Sequence, residues 1–314
     1  MFDGVRAGIR SHVINSVQGG DLRLERFSEP AGDPGLFGPD SAAWLVTSHA
    51  GGMLAGGFGA IMLQSLHPLA MAGVAEHSDY RTDPTGRLSR TARYVTSTVF
   101  GSTADAEAAL AKVRRVHTFV HGTAPDGRPY RADDPALLTW VHTAEVRCFL
   151  AGYQAFSGES LTRSDCDRYY AEMALLAERL GAIEVPRSVD EVEAYLERIR
   201  PELRVTPAAL EAVTFLRAFG RDPRERLATK VLMNGGISLL PGWARTQLGI
   251  RRPGVVRVAI DRPAVRLLSS ILIWACGRSV VAKVSRERAA AAVVPQQRAD
   301  GALGDGVVSQ GAST

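Results

Sequence analysis

The sequence predicts an all-α fold, organised as a single multi-helix domain around a buried central helix. Alanine, leucine, arginine and glutamate, which favour helices, recur throughout the 314 residues, whereas strand-like alternation is scarce. Helix-capping side chains precede several segments with helical apolar periodicity. At 46% hydrophobic and 22% charged residues, the chain also has enough apolar side chains for a sizeable core.

Composition and short motifs limit the function classes. The net charge of +4 comes from arginines spread along the chain, without a basic run interleaved with aromatics, which argues against a nucleic-acid partner. The three cysteines are far apart and odd in number, which is typical of a reducing compartment. With no signal-like N-terminus, the expected location is cytoplasmic. The sequence contains no GxSxG elbow, P-loop or dinucleotide fingerprint, so a serine hydrolase or nucleotide-binding enzyme is not expected.

The composition divides the chain into three parts. Residues 1–39 predict an N-terminal helix and a connector, EPAGDPGLFGPD, which has too much Pro and Gly for regular structure. Residues 40–290 predict the helical domain. Residues 291–314, rich in Ala, Gly, Gln and Ser, predict a disordered tail.

The central helix is predicted over residues 51–75, GGMLAGGFGAIMLQSLHPLAMAGVA. A membrane-spanning helix is the alternative, because the length suffices. Pro68, the glycines and the lack of cationic flanks favour a buried helix. Its glycines would let another helix or a flat cofactor approach the backbone closely. His67 is expected either to be a core histidine bonded to a backbone carbonyl or to lie beside a cofactor.

Further helices are predicted along the rest of the domain by caps and apolar periodicity. A short one follows Asp40 or Ser41, and the others cover residues 86–101, 103–122, 135–156, 164–180, 189–200, 207–218, 224–240, 242–248 and 263–284. Residues 123–134 are expected to be a loop with a turn at 125–127. The helix over 263–284 is expected to pack on the domain. An interfacial membrane helix is the alternative, because arginines flank an apolar, Trp-containing body.

The helix over residues 86–101 carries a polar stripe. Arg87, Arg90, Thr91 and Tyr94 occupy positions i, i+3, i+4 and i+7, which lie on one helical face. A cationic and hydroxyl-bearing face is typical of a site for an anionic cofactor. The alternative is an ordinary solvated helix surface.

The next predicted helix ends with two imidazoles. His117 and His121 are four residues apart, a spacing that can place both on one metal ion. A di-iron bundle would need repeated Glu-x-x-His pairs, and the chain offers only His142 before Glu145, in reversed order. Haem needs one axial histidine, an apolar helical cavity and cations for its propionates. The chain offers all three, with either histidine as the axial ligand and the arginines of the polar stripe for the propionates.

Three sequence blocks in this order resemble a known family. They are LQSLHPLAMAGVAEHS, GRLSRTARYVTSTVFG and VHTFVHGTAPDGRPYRADDPALLTWVH. They are similar to the oxygenase family that includes the rubber-cleaving latex clearing protein and the mycophenolate-pathway oxygenase, over about residues 40–250. The resemblance implies an all-helical fold of globin-like character with bound haem b.

The resemblance also implies residue roles. The family's proximal histidine matches His117 in VRRVHTFVHG, with His121 as the second candidate. The family's distal Arg-x-x-Lys-Thr pattern matches Arg87-x-x-Arg90-Thr91, with Arg90 in the position of the lysine. Because a guanidinium stays protonated and is a poor iron ligand, we expect an open or water-bound distal site with easier O₂ access.

The expected function is that of a haem-dependent oxygenase acting with O₂ on an apolar, unsaturated or lipid-like substrate. The polar stripe would stabilise negative charge developing on dioxygen, with Tyr94 on the cofactor-binding face. Glu76, His67 or His77 would act as the acid or base. The alternative is a non-catalytic haem- or lipid-binding helical protein. The last helix is the segment expected to make any peripheral contact with a membrane.

Overall fold

The computed structural model describes Gly4 and residues 24–220, 222–250, 255–276 and 279–291. Within these residues the chain forms thirteen α-helices and a single two-stranded sheet, so the predicted all-α fold is confirmed. Apart from Gly4, the predicted N-terminal helix lies outside the described residues. So does the predicted tail, apart from Ala291.

The helices follow one another through short connections. In chain order they are α1 (Ala42–Thr47), α2 (Ala50–Gln64), α3 (Pro68–His77), α4 (Pro84–Phe100), α5 (Thr103–His117), α6 (Pro135–Phe156), α7 (Arg163–Leu180), α8 (Val189–Ile199), α9 (Pro207–Ala218), α10 (Pro223–Leu239), α11 (Gly242–Gln247), α12 (Val255–Cys276) and α13 (Val280–Ala290). Strands β1 (His121–Thr123) and β2 (Pro129–Arg131) lie between α5 and α6. Single 3₁₀ turns occur at Leu24–Phe27 and Arg200–Glu202.

Capping side chains begin several helices where the sequence predicts. The Ser41 hydroxyl accepts a hydrogen bond from the Trp44 N–H at 3.2 Å and starts α1. A carboxylate oxygen of Asp134 accepts hydrogen bonds from the N–H groups of Ala136 and Leu137, the first two in α6, at 2.9 and 3.0 Å. At α7, whose start was predicted near residue 164, Thr162 and Asp165 form a reciprocal capping box that was not predicted. These side chains satisfy backbone donors that have no partner within the helix, which fixes where each helix begins.

The apolar run predicted as one central helix is instead two helices. α2 ends at Gln64 and α3 begins at Pro68, with a bend of 109° between them. His67, just before Pro68, has an extended backbone, as expected where the proline ring disfavours the helical region. Proline is well accepted as the first residue of the new helix. The prediction of a single helix over 51–75 is therefore wrong, although α2 is the central packing helix.

Glycines let α2 pack very closely against α6. Gly52 and Gly152 face each other, and a Cβ at Gly52 would lie 3.0 Å from the carbonyl carbon of Gly152. A Cβ at Gly56 would lie 2.8 Å from the carbonyl oxygen of Cys148. This confirms the prediction that these glycines admit another helix. α10 and α12 pack on the same central helix.

Residues 121–131 form a β-hairpin where a helix end and a loop were predicted. α5 ends at His117, and the N–H of Val120 donates to the carbonyl of His117 at 3.1 Å, which turns the chain. His121 then pairs with Arg131 in the antiparallel register. The expectation that His117 and His121 share one helical face is therefore wrong, because the turn separates them.

The last predicted helix, over 263–284, is also two helices. α12 and α13 are separate, with a bend of 54° between residues 260–275 and α13. Arg288 of α13 is 2% exposed and donates to the carbonyls of Phe27, Asp33 and Gly101 at 3.2, 2.8 and 3.1 Å. α13 thereby joins the N-terminal segment to the junction of α4 and α5.

Among the described helices, no single one combines the length and apolarity that crossing a membrane requires. Two bent pairs meet the criteria of length and composition only when their helices are counted together: α2 with α3, and residues 260–275 with α13.

Candidate functional site

Arg87 of α4 is a half-buried cation without an acidic partner. Burial lowers the pKa of its guanidinium, Tyr80 raises it, and the neighbouring charge of Arg90 lowers it again. The guanidinium carbon lies 6.0 Å from the centre of the Tyr80 ring. In the part of the chain that the structure describes, no carboxylate is within ion-pair distance of Arg87. A partly desolvated cation without a counter-charge is costly, so this position suits an anionic ligand group.

The other cation of the polar stripe is already neutralised at the surface. Arg90 is exposed and forms ion pairs with Asp83 at 3.2 Å and with Asp79 at 3.7 Å. Thr91 is also exposed, and its hydroxyl donates to the carbonyl of Arg87 at 3.2 Å. The stripe therefore divides, with Arg87 and Tyr94 facing inward and Arg90 and Thr91 toward solvent.

α6 supplies two interior ionisable side chains that were not assigned to the site from sequence. Burial lowers the pKa of His142 to about 4 and raises the pKa of Glu145 to about 7. The Nε2 atom of His142 is buried without a hydrogen-bond partner. Glu145 makes neither a hydrogen bond nor an ion pair with another described residue. At neutral pH His142 is therefore uncharged, and Glu145 keeps its proton to a higher pH than an exposed glutamate does.

Tyrosines from two other helices lie close to Glu145. The pKa of Tyr94 on α4 is raised by burial and then by the charge of Glu145, so these two side chains are near each other. The pKa of Tyr169 on α7 is raised by burial, then by Tyr170, and then by Glu145. The hydroxyl of Tyr169 is buried without a partner. We call Tyr94, His142, Glu145 and Tyr169 the interior polar cluster.

His117 stands at the C-terminal end of α5, half-buried. Burial lowers the pKa of its imidazole, against the opposing effect of Asp133. Its ring makes no hydrogen bond to any described residue. The imidazole is therefore neutral at neutral pH, which is the form that binds metals. His121, by contrast, is exposed on β1.

Glu76 and His77, two of the predicted acid–base residues, join α3 to the β-hairpin. The Tyr130 hydroxyl of β2 donates to Glu76 and lies 3.1 Å from Nε2 of His77. Burial, together with Glu76, raises the pKa of Tyr130 to about 12. These contacts hold the hairpin against α3, and none of them reaches the interior polar cluster.

His67 is buried elsewhere, beside Trp140. It is 4% exposed, and burial, followed by the charge of Arg128, lowers its pKa to about 4. Its Nε2 lies 3.9 Å from a carboxylate oxygen of Glu202, and its Nδ1 has no partner. His67 is therefore a core histidine, but without the expected bond to a backbone carbonyl.

A separate cleft of about 290 Å³ lies between α6, α7 and α8. Arg147, Cys166 and Tyr170 are among its lining residues, and none of the sequence-predicted site residues lines it. It is distinct from the interior polar cluster, which lies on another face of α6.

The fold and the site together define an all-α domain with neutral imidazoles, a protonatable carboxyl and an unpaired cation in or near its interior. Residues 44–295 match the family model described as ER-bound oxygenase mpaB/B'/Rubber oxygenase, catalytic domain. The chain belongs to this oxygenase family, and the resemblance drawn from the three sequence blocks is confirmed. No curated protein and no solved structure matches the chain.

The residues present fit a haem better than a protein-bound metal ion. Among the described residues, no group of three or more His, Cys, Asp or Glu side chains could hold a metal ion. A haem brings four nitrogen ligands of its own and needs one imidazole from the protein. His117 is neutral and makes no hydrogen bond to a described residue, so it could supply that imidazole, and the unpartnered Nε2 of His142 is a second candidate. Arg87 could supply a cation for a propionate.

Proposed function

We propose that this oxygenase uses haem b and O₂ to oxidise an apolar, unsaturated or lipid-like small molecule. The observation that carries the proposal is the half-buried, unpaired guanidinium of Arg87 on the same α4 face as Tyr94. A propionate would supply the missing counter-charge, and a bidentate guanidinium–carboxylate pair is among the strongest in proteins. Family membership supports the oxygenase class.

His117 would hold the iron. Its imidazole is neutral, half-buried and placed at the end of a helix, where the chain turns into β1. Asp133 lies close enough to raise its pKa, and a nearby carboxylate is a common partner of a metal-bound histidine. His142 is the alternative ligand, because its Nε2 is buried without a partner.

Glu145 would act as the general acid–base group. A carboxyl with a pKa of about 7 holds a proton near neutral pH and can also release it, which suits a general acid–base group. Tyr94 lies near Glu145 and would donate a hydrogen bond into the same space. When bound, haem would supply the iron centre that activates O₂. The apolar core around the cluster would exclude water.

This assignment replaces Glu76, His77 and His67 as the proposed proton-transfer groups. Glu76 and His77 already make hydrogen-bond contacts with the Tyr130 hydroxyl. His67 lies beside Trp140 and Glu202. Arg90 and Thr91 would act at most from the rim, because both are exposed. Arg87 is then the stripe residue expected to touch the cofactor.

The first test is the absorption spectrum of the purified protein before and after dithionite. We expect a Soret band that shifts on reduction, and its loss in His117→Ala. His121→Ala is the matched control, because His121 is exposed on β1, and it should keep the band. Loss of the band in His142→Ala but not in His117→Ala would move the ligand to α6. A colourless protein that stays colourless after haem addition would refute the cofactor.

The second test measures products from a panel of unsaturated lipids under O₂. Glu145→Gln should lower turnover at least about tenfold while keeping the Soret band, as expected when a general acid–base group is removed. Glu76→Gln is the control and should keep most of the activity. Haem binding without product from any substrate would favour the non-catalytic haem-binding alternative.

A further inference from the structure

The cleft between α6, α7 and α8 has a mainly apolar interior and a polar rim. The inner lining residues, at most 4% exposed, are Leu150, Cys166, Tyr170 and Val192. The exposed lining residues, which form the rim, are Gln154, Arg163 and Glu193. The volume of about 290 Å³ lies near the lower limit of small-molecule pockets. The cleft is therefore large enough to hold a small organic molecule.

Arg147 lines the cleft as a half-buried cation without an acidic partner. Its Nη1 donates to the carbonyl of Leu239 on α10 at 2.9 Å. No carboxylate of a described residue lies within ion-pair distance of the guanidinium. A neutral carbonyl accepts one of its five N–H groups and leaves the positive charge uncancelled. Because the side chain is partly withdrawn from water, this charge favours an anionic group in the cleft.

Tyr170 adds a hydroxyl beside this cation. Burial raises the pKa of its phenol, and the charge of Arg147 lowers it, so the two side chains are close to each other. The hydroxyl makes no hydrogen bond with a described residue, although the side chain is only 4% exposed. A buried phenol usually has a hydrogen-bond partner. A ligand oxygen next to Arg147 would provide one.

The other charges of the cleft lie at its rim. Arg163 already forms ion pairs with Asp190 and with Asp167, the latter at 3.6 Å. Glu193 is exposed, so water solvates its carboxylate, and it makes no ion pair with a described residue. The interior therefore favours one negative group, whereas the carboxylate of Glu193 disfavours a second negative group at the rim.

We propose that this cleft binds a small monocarboxylic acid with an apolar chain of about eight carbons, since its volume equals that of on the order of ten water molecules. Arg147 and Tyr170 would hold the carboxylate through charge-assisted hydrogen bonds. Leu150, Leu161 and Val192, which also line the cleft, would contact the chain. The site is separate from the interior polar cluster, and the proposal does not depend on the cofactor.

The test measures the binding of octanoate, 1-octanol and suberate to the full chain by isothermal titration calorimetry. These probes have equal chain length and differ in the number of carboxylates. Octanoate stays below the concentration at which it forms micelles. We expect one octanoate site with a Kd below about 1 mM. Octanol, which has no charge, and suberate, which has a second carboxylate, should each bind at least about tenfold more weakly.

Two variants separate the charged and apolar contributions. Arg147→Gln should weaken octanoate binding roughly 10- to 100-fold and leave octanol binding nearly unchanged, because the contact with a charged group is lost. Arg266→Gln is the matched control and should bind normally. Arg266 also donates to one backbone carbonyl, that of Ala155 at 3.2 Å, but does not line the cleft. Leu161→Ala should weaken octanoate and octanol alike by about fivefold, because it removes apolar contact and keeps the charge.

Four results would overturn the proposal. The first is no saturable binding of octanoate. The second is an affinity for octanol or suberate equal to that for octanoate. The third is an equal loss of affinity in Arg266→Gln. The fourth is a loss in Arg87→Gln but not in Arg147→Gln, which would place the carboxylate near the interior polar cluster instead. Circular dichroism verifies that each variant is folded. If Arg147→Gln does not fold, the comparison of the three probes and Leu161→Ala decide the result.

Discussion

Gly52 of α2 and Gly152 of α6 meet backbone against backbone, and neither position has room for a Cβ. This contact sets the separation of the two helices that form the centre of the core. The spacing matters for the site as well, because α6 also carries His142 and Glu145. A substitution at this contact should therefore mainly change the free energy of unfolding. It should affect the interior polar cluster to a smaller extent.

Gly152→Ala should destabilise the protein by roughly 1–3 kcal/mol, because the added methyl overlaps backbone atoms that cannot move aside. Gly57→Ala is the control in the neighbouring helix. Its Cβ would meet only a ring atom of Phe149, at 4.0 Å, so that variant should be neutral or stabilised by up to about 1 kcal/mol. Urea unfolding measures both. Equal free energies of unfolding for the two variants would contradict the close contact.

Glu145 should make the protein less stable as the pH rises from 4.5 to about 7. The unfolded chain loses this proton near the ordinary pKa of 4.5, whereas the folded chain keeps it up to about 7. In that window the folded state binds more protons, so its stability falls with increasing pH, by roughly 3 kcal/mol in all. Glu145→Gln should remove this decline. Urea unfolding at several pH values tests it, and a parallel decline in the variant would place the effect elsewhere.

His142 should make the protein less stable as the pH falls into the acid range. Its folded pKa of about 4 lies below the ordinary 6.5, so the unfolded chain takes up a proton first as the pH falls. Stability is fully present above pH 6.5 and is lost as the pH falls toward 4. His67, also with a pKa of about 4, adds to the same loss. His142→Gln should reduce the loss of unfolding free energy below pH 6.5. The His142→Gln/His67→Gln variant should reduce it further. If both variants lost as much stability below pH 6.5 as the unsubstituted protein, these imidazoles would be solvated.

Arg288→Lys should destabilise the protein by roughly 2–4 kcal/mol, although it keeps the charge. A lysine cannot reach three separate carbonyls with fixed geometry, so buried acceptors lose their partners. Lys283→Ala on the same helix is the control, because its side chain is 77% exposed and its ion pair with Glu287 is long, at 3.9 Å. Thermal unfolding compares the two. A loss in Lys283→Ala as large as that in Arg288→Lys would contradict the role of the buried guanidinium.

Local signals in the sequence predict the helix starts well. Ser41 and Asp134 begin helices in the structure as predicted. Each provides a side-chain oxygen that accepts from an N–H two or three residues later, so the signal lies within a short stretch of chain. The break before Pro68 was not predicted, because apolar residues continue on both sides and hide the change of direction. Strands of three residues are also too short to show alternation, so the β-hairpin was not predicted.

The candidate site was predicted only in part, for a different reason. The spacing of Arg87 and Tyr94 predicts a shared face, and both do face inward. Spacing alone cannot separate them from Arg90, whose surface partners Asp79 and Asp83 are found only in the fold. Glu145 resembles any helical glutamate in the sequence. Its raised pKa arises from burial, which depends on neighbouring helices that are distant along the chain.

The contacts of Arg288 have a consequence for the order of events during synthesis. Its partner Phe27 is 261 residues earlier in the chain, and Gly101 stands at the junction of α4 and α5. Loops of this length close late, and α13 must leave the ribosome before this contact can form. A nascent chain that stops before α13 would expose three unpaired carbonyls beside the helices that carry Arg87 and His117. The junction of α4 and α5 should therefore gain its full set of hydrogen bonds only after α13 has been made and has left the ribosome.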